Sequence, residues 1–260
     1  MKKLGLIGQN IQHSLSAKLH HEIGKIFNLS IDYQLIDVDV KEISSLMKAL
    51  RNKEYDGFNV TMPFKVVVMD YLDVISERAK RIGAVNTIYL KDNLIYGDNT
   101  DYDGFLAMIK QSKLNLENQE VYILGSGGAA KAAYVVLTDL KAKPIIVKRE
   151  TSTISKMFKE VITYNQVSST VNYIVNATPI GMYPNIEEPL LTKEYLENKT
   201  VFDLIYSPRE TKLMSYAKVA YNGLLMLYVQ AVAAESLFWQ IDLKFDNEYI
   251  MQLNKELKNE

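Results

Sequence analysis

The sequence contains no cysteine, which excludes disulfides, thiol nucleophiles and cysteine-ligated metals. The absence fits a reducing compartment without specifying one. Histidine is scarce too. Only His13, His20 and His21 are present, and neighbours on a helix point about 100° apart, so His20 and His21 cannot both face one ion. They read as a polar helix face, His13 stays open, and no metal site is expected. Neither sign of charge dominates: 30 basic against 31 acidic residues leave a net charge of −1, which gives no basis for a nucleic-acid or acidic-membrane partner. Long apolar runs are also missing. Lys2 and Lys3 precede too short a run for a signal peptide, and Gly223 to Ala234 is interrupted by Gln230 and too short to span a bilayer. A soluble, cytoplasmic protein is expected, and 260 residues suffice for a substantial core divided between two domains.

What is present is organised around Val121 to Ala132, VYILGSGGAAKA. Four apolar residues read as a strand buried on both faces, and the small residues after the glycines read as the start of a helix. Gly125 permits the tight turn, Gly127 lets the backbone approach a pyrophosphate, and Ala130 is small where the helix must pack on the strand. Free N–H groups at the helix start then face an anion. A bare Gly-x-Gly-x-x-Ala also occurs as an ordinary tight turn; the strand before it and the helix after it are what favour a dinucleotide. The next strand, Pro144 to Val147, ends in Lys148-Arg149 where a cofactor with a free ribose 2′-hydroxyl usually meets an acidic residue. Cations there suit a 2′-phosphate, hence NADP rather than NAD. Two basic residues at a strand end also occur on plain surfaces, and Glu150 beside them opposes the phosphate reading.

In the first half, Leu4 to Gly8, Tyr33 to Val38 and Gly57 to Val60 read as strands, with helices at Ser16 to Phe27 and Val40 to Leu50 between them. The alternation implies a parallel sheet and, with no glycine fingerprint at its first turn, a candidate substrate domain. Three polar clusters exceed what packing needs. Asn59, Thr61 and Lys65 follow the third strand, at the edge where open α/β sheets bind ligands. Lys65 is expected to open a helix, an unfavourable place for a cation and one that suits proton transfer; alternatively it is a solvated surface lysine. Gly83 caps a helix over Ser76 to Ile82, and Asn86 falls inside a strand, Val85 to Leu90, that turns back through Lys91-Asp92-Asn93 to Leu94 to Tyr96. Asparagine is disfavoured in strands, so Asn86 needs a partner, structural or substrate. Third, Gly97 to Phe105 offers Thr100 or Asp101 as a helix cap with polar residues to spare, and it lacks the ligand spacing of a calcium loop.

In the second half, a helix to Leu140 and the strand Ile145 to Val147 complete a β-α-β unit. Tyr173 to Asn176 is a strand that ends in the loop Ala177 to Met182, broken by Pro179 and Gly181. Thr200 to Leu204 is the next strand, and after Tyr206 to Thr211 a helix is expected to run to Ala220. Asn222-Gly223 marks a turn, Leu224 to Leu227 a short strand, Gln230 to Trp239 a helix, and Asn247 to Leu257 a last amphipathic helix. Gln230, opening an apolar segment, is either cap-like or a ligand contact.

Together and in this order, these clusters resemble the NADP-dependent shikimate dehydrogenases, over nearly the whole chain and through seven motifs. The resemblance implies two α/β domains with a cleft between them: a mostly parallel-sheet substrate domain, 1–101 plus 231–260, and a Rossmann-like NADP domain, 102–230. It implies Ser14 and Ser16 at the substrate carboxylate, aided by Tyr206; Asn59, Thr61, Asn86 and Gln230 at the ring hydroxyls; and Lys65 with Asp101 as the catalytic pair. For the cofactor it implies Gly125, Ser126, Gly127, Gly128 and Ala129 at the phosphates, Arg149 at the 2′-phosphate, and Thr178, Met182 and Gly223 on the nicotinamide side; Lys148, by its charge, and Leu204 are expected to bind the cofactor as well. The implied reaction is reversible reduction of 3-dehydroshikimate to shikimate by NADPH, in a monomer or homodimer with no nucleic-acid or membrane partner. Ala17 stands where the family usually has proline, His21 where asparagine is common, and Lys148 and Glu150 flank Arg149 where an Asn-Arg-Thr sequence is typical. A dehydrogenase that also oxidises quinate, and an NADP-binding protein without chemistry, are the alternatives.

Overall fold

The computed structural model describes residues 1–150, 155–187, 189–244 and 246–257. Two compact units emerge, Met1–Asp103 with Tyr228–Glu260, and Gly104–Leu227. The first unit holds strands β1 (Lys2–Gly8), β2 (Ile31–Asp37), β3 (Gly57–Val60), β4 (Val74–Ile75), β5 (Thr87–Lys91) and β6 (Leu94–Asp98). Their spatial order is β2-β1-β3-β5-β6-β4. Pairings among β2, β1 and β3 are parallel, as is β4 on β6, while the β5–β6 hairpin runs antiparallel within itself and against β3. Asp92 (φ 51°) and Asn93 (φ 60°) form the hairpin turn, the positive-φ pair that matches the twist of the flanking strands.

Helices α1 (Ser16–Phe27), α2 (Ile43–Arg51) and α3 (Glu77–Ile82) connect these strands. On α1, Leu19 and Ile23 are buried at helical spacing, and Asn28 in the left-handed region ends the helix. For α3, Ser76 accepts a hydrogen bond from the Ala79 N–H at the front, and Gly83 (φ 65°) stops it. The segment before α2 tightens into a 3₁₀ turn, Val40–Glu42, closed by a capping box between Asp39 and Glu42. Ile7, Ile43, Phe58, Val68 and Ile88 fill the core under one face of the sheet; Leu4, Leu6 and Tyr33 pack with Ala234 and Phe238 on the other.

α4 (Asp101–Ser112) carries the chain across the unit boundary. The second unit contains β7 (Glu120–Leu124), α5 (Gly128–Asp139), β8 (Lys143–Lys148), β9 (Val161–Thr163), β10 (Tyr173–Asn176), α6 (Lys193–Leu196), β11 (Thr200–Asp203), α7 (Lys212–Tyr216) and β12 (Val219–Tyr221). The sheet is parallel throughout, ordered β12-β11-β10-β7-β8-β9. Taken in chain order this is 3-2-1-4-5-6, the doubly wound arrangement whose ligand crevice lies where the order reverses, between β7 and β10. The polar segment holding β9 and the single-turn α6 carries no clear periodicity, and sequence reasoning missed both.

The C-terminal quarter departs from expectation. α7 stops at Tyr216, and Val219–Tyr221, whose first two residues are expected within that helix, is an edge strand on β11. Leu224 to Leu227, expected as a strand, instead opens one sixteen-residue helix, α8 (Leu224–Trp239), so Gln230 lies inside a helix and does not start one. The Asn222 side chain accepts from the Leu224 N–H and starts α8 there; Leu, Met and Ala then sustain it without a breaker. α9 (Asn247–Glu256) follows, capped by Asp246, and buries Leu253 and Leu257. Among the described residues no helix is long and apolar enough to cross a membrane.

Candidate active site

In the first unit, Asn59, Thr87 and Asp98 stand side by side, because Asn59 is in register with Thr87 and Thr87 with Asp98. The ladder continues outward as the Val60 N–H donates to the Asn86 carbonyl and the Asn86 N–H to the Asp98 carbonyl. β1, β3 and β6 end at this edge and β5 begins there, so the segments carrying Ser14, Thr61, Lys65, Asn86 and Asp101 all issue from one side of one sheet.

Lys65 Nζ donates to Asp101 Oδ2 at 2.6 Å, and Asn86 Nδ2 donates to Asp101 Oδ1 at 2.9 Å. Asn86 Oδ1 accepts from the Thr100 N–H (2.8 Å) and from the Thr87 and Thr100 hydroxyls. Asn86 thus has the partners it needs, although it sits in the bend just before β5 and not within the strand. Asp101 is the first residue of α4, with its own N–H held by Asn99 Oδ1, so the helix start fixes the carboxylate while its two oxygens face an amide and an ammonium. This residue is 7 % exposed and Asn86 3 %, which makes the ion pair partly desolvated and geometrically constrained.

Lys65 does not open an α-helix. Phe64 closes a turn onto Thr61, Val68 bonds Phe64, and only a 3₁₀ stretch, Val67–Tyr71, follows, so Asp101 rather than a helix dipole dominates the field at the ammonium. Thr61 lies half-buried at the same edge. Asn59 is 6 % exposed, and its amide accepts from the Tyr33 hydroxyl (2.8 Å) and donates to Asn86 and Thr87. Before α1, the Ser16 hydroxyl accepts from the Ser14 hydroxyl (3.0 Å), and the Ser16 N–H donates to Ser14 Oγ, so the two serines form one local unit. The loop they belong to meets the Lys65 loop, since the Gln9 N–H donates to the Met62 carbonyl. Gln230 lies half-buried on α8.

Arg78 was not foreseen. Its guanidinium binds both Asp98 oxygens and Asp103, bracketing the turn that delivers Asp101. Burial pushes the Asp103 carboxyl above its ordinary range, opposed by Arg78. His20, expected on a polar face, is instead 1 % exposed, 2.6 Å from Glu235 and stacked on Tyr33, because α8 and β2 cover that side of α1.

In the second unit, Gly125 adopts φ +100°, which an L side chain rarely tolerates, and its backbone turns against Ala177 and Thr178. Gly127 differs. Its φ is −74° and a Cβ added there would meet nothing within 4 Å, so the protein's own packing does not require glycine at this helix start. Ala130 is fully buried against the sheet, as expected. Ser126, Gly128 and Ala129 complete the turn into α5.

Asn176, at the end of β10, accepts from the Thr178 N–H and hydroxyl and donates to Asp203. Asp203, at the end of β11, also accepts from the Ile205 N–H (3.1 Å) and the Thr211 hydroxyl (2.6 Å). One buried carboxylate therefore anchors the loop holding Thr178 to Met182 and the loop holding Leu204 to Thr211; a charged residue ending a buried strand was the sequence signal for it. Burial pushes Asp203 up to about 6, with those three bonds opposing. Tyr206 is half-buried on the second loop, and burial raises its hydroxyl. A Cβ at Gly223 would lie 2.1 Å from the Leu204 carbonyl oxygen, so glycine is needed there for packing. Lys148 ends β8 beside Thr163 of β9; Arg149 is exposed, and its charge lowers the Tyr164 hydroxyl against a larger upward effect of burial.

Comparison with known proteins agrees with this geometry. Residues 6–88 match the family model of the shikimate dehydrogenase substrate binding domain. A shikimate dehydrogenase (NADP(+)) from Clostridium beijerinckii is 37% identical over 100% of this chain and 99% of its own. Among solved structures, shikimate dehydrogenase 1 from Peptoclostridium difficile superposes with a TM-score of 0.89 at 34% identity, covering 99% of each chain. The Thermus thermophilus shikimate 5-dehydrogenase, solved with NADP(H) and shikimate, gives 0.88 at 26% identity over 99% of this chain and 100% of its own. A half-buried lysine held on a buried aspartate and asparagine at a sheet edge, a doubly wound sheet with a glycine turn at its switch point and full-length relatives of one kind lead to one conclusion: the chain belongs to the shikimate dehydrogenase family.

Proposed function

We propose that the chain catalyses the reversible NADPH-dependent reduction of 3-dehydroshikimate to shikimate, with Lys65 as proton donor and acceptor assisted by Asp101. The observation that carries this reading is the Lys65–Asp101–Asn86 cluster, in which an ammonium is held against one carboxylate oxygen while an amide holds the other. Reducing a ketone to an alcohol builds negative charge on oxygen, and a donor placed at that oxygen lowers the barrier. Lys65 releases a proton from Nζ to the developing alkoxide, breaking an N–H bond as the O–H bond forms; in the reverse direction neutral Lys65 takes it back. Asp101 orients the amine and accepts from a neighbouring substrate hydroxyl. Ser14 and Ser16, aided by Tyr206, bind the carboxylate without adding charge, and Asn59, Thr61, Asn86 and Gln230 serve the ring hydroxyls.

The residues present fit NADP(H). Gly125 makes the turn, the open space over Gly127 leaves room for a pyrophosphate that a side chain would obstruct, and Lys148 and Arg149 offer cations for a 2′-phosphate. When bound, the cofactor supplies the hydride. Thr178, Met182, Leu204 and Gly223 are assigned to its nicotinamide side, with the backbone of Gly125 to Ala129 at the phosphates. The T. thermophilus relative, solved with NADP(H) and shikimate, supports this pair of ligands. On this reading 1–101 with 231–260 handles substrate and 102–230 the cofactor, in a cytoplasmic monomer or homodimer.

The test is absorbance at the reduced-nicotinamide band with shikimate and NADP⁺, with quinate and NAD⁺ as controls. Rapid reduction with shikimate and NADP⁺ alone is expected. Equal turnover with quinate or NAD⁺ would keep the chemistry and overturn the specificity, and NADP⁺ binding without any turnover would overturn the enzyme reading.

A further inference from the structure

Glu235 is fully buried on α8, and its apolar helix neighbours Ala231, Val232, Ala234 and Phe238 are buried as well. A buried carboxylate is costly unless paired, and an apolar residue would complete this packing more simply. Its partners are specific. Oε1 lies 2.6 Å from His20 Nδ1, and Oε2 accepts from Trp239 Nε1 at 3.0 Å. The His20 ring stacks on Tyr33, with centroids 4.1 Å apart and planes 12° from parallel. Tyr33 in turn donates to Asn59 Oδ1 at 2.8 Å.

This chain of contacts reaches three elements that carry candidate substrate residues. His20 lies one helical turn along α1 from Ser16, Glu235 follows Gln230 along α8, and Asn59 is on β3. Of the charged groups near the network, the Lys2 ammonium lies outside it, 5.3 Å over the Trp239 ring.

We propose that Glu235 and His20 are positioning residues for substrate: together they fix the approach of α1 to α8, which sets the serine pair against Gln230, and through Tyr33 they fix the Asn59 amide. The hydroxyl of Tyr33 occupies Asn59 Oδ1, which directs Nδ2 toward the Asn86 carbonyl and the Thr87 hydroxyl and so braces the neighbour that holds Asp101. The inference rests on the proposed function, since it concerns the same substrate residues.

Three variants test it, each measured for KM of shikimate, KM of NADP⁺ and kcat, with shikimate binding to the cofactor-free protein followed by calorimetry. Glu235→Leu removes both hydrogen bonds and keeps bulk. Tyr33→Phe keeps the stack and removes the bond to Asn59. Glu235→Gln can accept from Trp239 and donate to the other His20 tautomer, so it keeps the geometry without the charge. Weaker shikimate binding by roughly tenfold is expected in Glu235→Leu and Tyr33→Phe, with KM for NADP⁺ unchanged, kcat within about threefold and near-complete rescue in Glu235→Gln. Unchanged shikimate affinity in Tyr33→Phe and in folded Glu235→Leu would overturn the proposal. So would parallel losses in kcat and NADP⁺ affinity, which mark general destabilisation. Should Glu235→Leu fail to fold, Tyr33→Phe decides alone. Wild-type protein that neither binds nor oxidises shikimate would overturn the functional reading itself, a result distinct from an active wild type with indifferent variants.

Discussion

Two residues of one side-chain class can demand opposite explanations, and the glycines show it. At Gly223 the backbone of Leu204 occupies the space a Cβ needs, so Gly223→Ala should cost about 1–3 kcal/mol of stability through overpacking. At Gly127 the space is empty and φ is ordinary, so Gly127→Ala should leave stability within about 0.5 kcal/mol while raising KM for NADP⁺ roughly tenfold. Thermal unfolding and cofactor titration on the two variants separate packing from ligand approach; a Gly127→Ala protein with unaltered cofactor binding would remove this residue from the phosphate loop. Lys65 gives the corresponding contrast for chemistry. Lys65→Ala should lower kcat about 10²–10⁴-fold, the usual range for a lost proton donor, with a much smaller change in KM for shikimate. Loss of affinity with turnover retained would reassign Lys65 to binding.

At the scale of elements, strand ends do the positioning. Asp203 ends β11, holds Asn176 at the end of β10 and accepts from Thr211 beyond the loop, so its ionisation bears on two connections together. Its folded value of about 6 lies above the ordinary 3.8. The folded protein therefore takes up a proton that the unfolded chain has already lost between those values, and the associated stabilisation, present below 3.8, disappears as pH rises through about 6. Two units correspond to about 3 kcal/mol. The Tm of wild type minus that of Asp203→Asn should accordingly fall between pH 4 and 7, and a flat difference would refute the assignment. How much of these elements the sequence revealed depends on what marks them. α1, β3 and β10 match their expected limits, since each has a clear apolar pattern and a stop signal: Asn28 closes α1, and Thr61 and Ala177 lead into Pro63 and Pro179. α8 was split in two because its first turns are apolar on every side, which erases the helical period; β9 and α6 are too short to have one. The Lys65–Asp101 pair comes through resemblance and Asn99 bonds the backbone only two residues on, whereas Arg78 and the buried His20–Glu235 contact depend on residues distant in sequence meeting in the fold, which no local pattern encodes.

For the whole molecule, the first unit is discontinuous: 124 residues, Gly104–Leu227, separate its two segments. α9 returns to α1, where Phe27 meets Tyr249 at 4.8 Å, and Tyr228 donates to Asn254. Ending the chain after Lys244 would remove buried Leu253 and Leu257, so a loss of roughly 3–6 kcal/mol is expected, read as a lower denaturation midpoint with shikimate affinity falling before NADP⁺ affinity. Equal stability in the shortened chain would show that α9 is dispensable. The same discontinuity governs how the protein emerges during synthesis. Leu4, Leu6 and Tyr33 are covered in part by Ala234 and Phe238, so that face of the first sheet stays incompletely covered until α8 has been made. At about 5–20 residues per second the wait from Tyr33 to Phe238 is roughly ten to forty seconds, during which the intervening β-α-β segment can complete itself. β1 and β2 thus close long after they are made, and through that interval they are the part that a chaperone would have reason to hold.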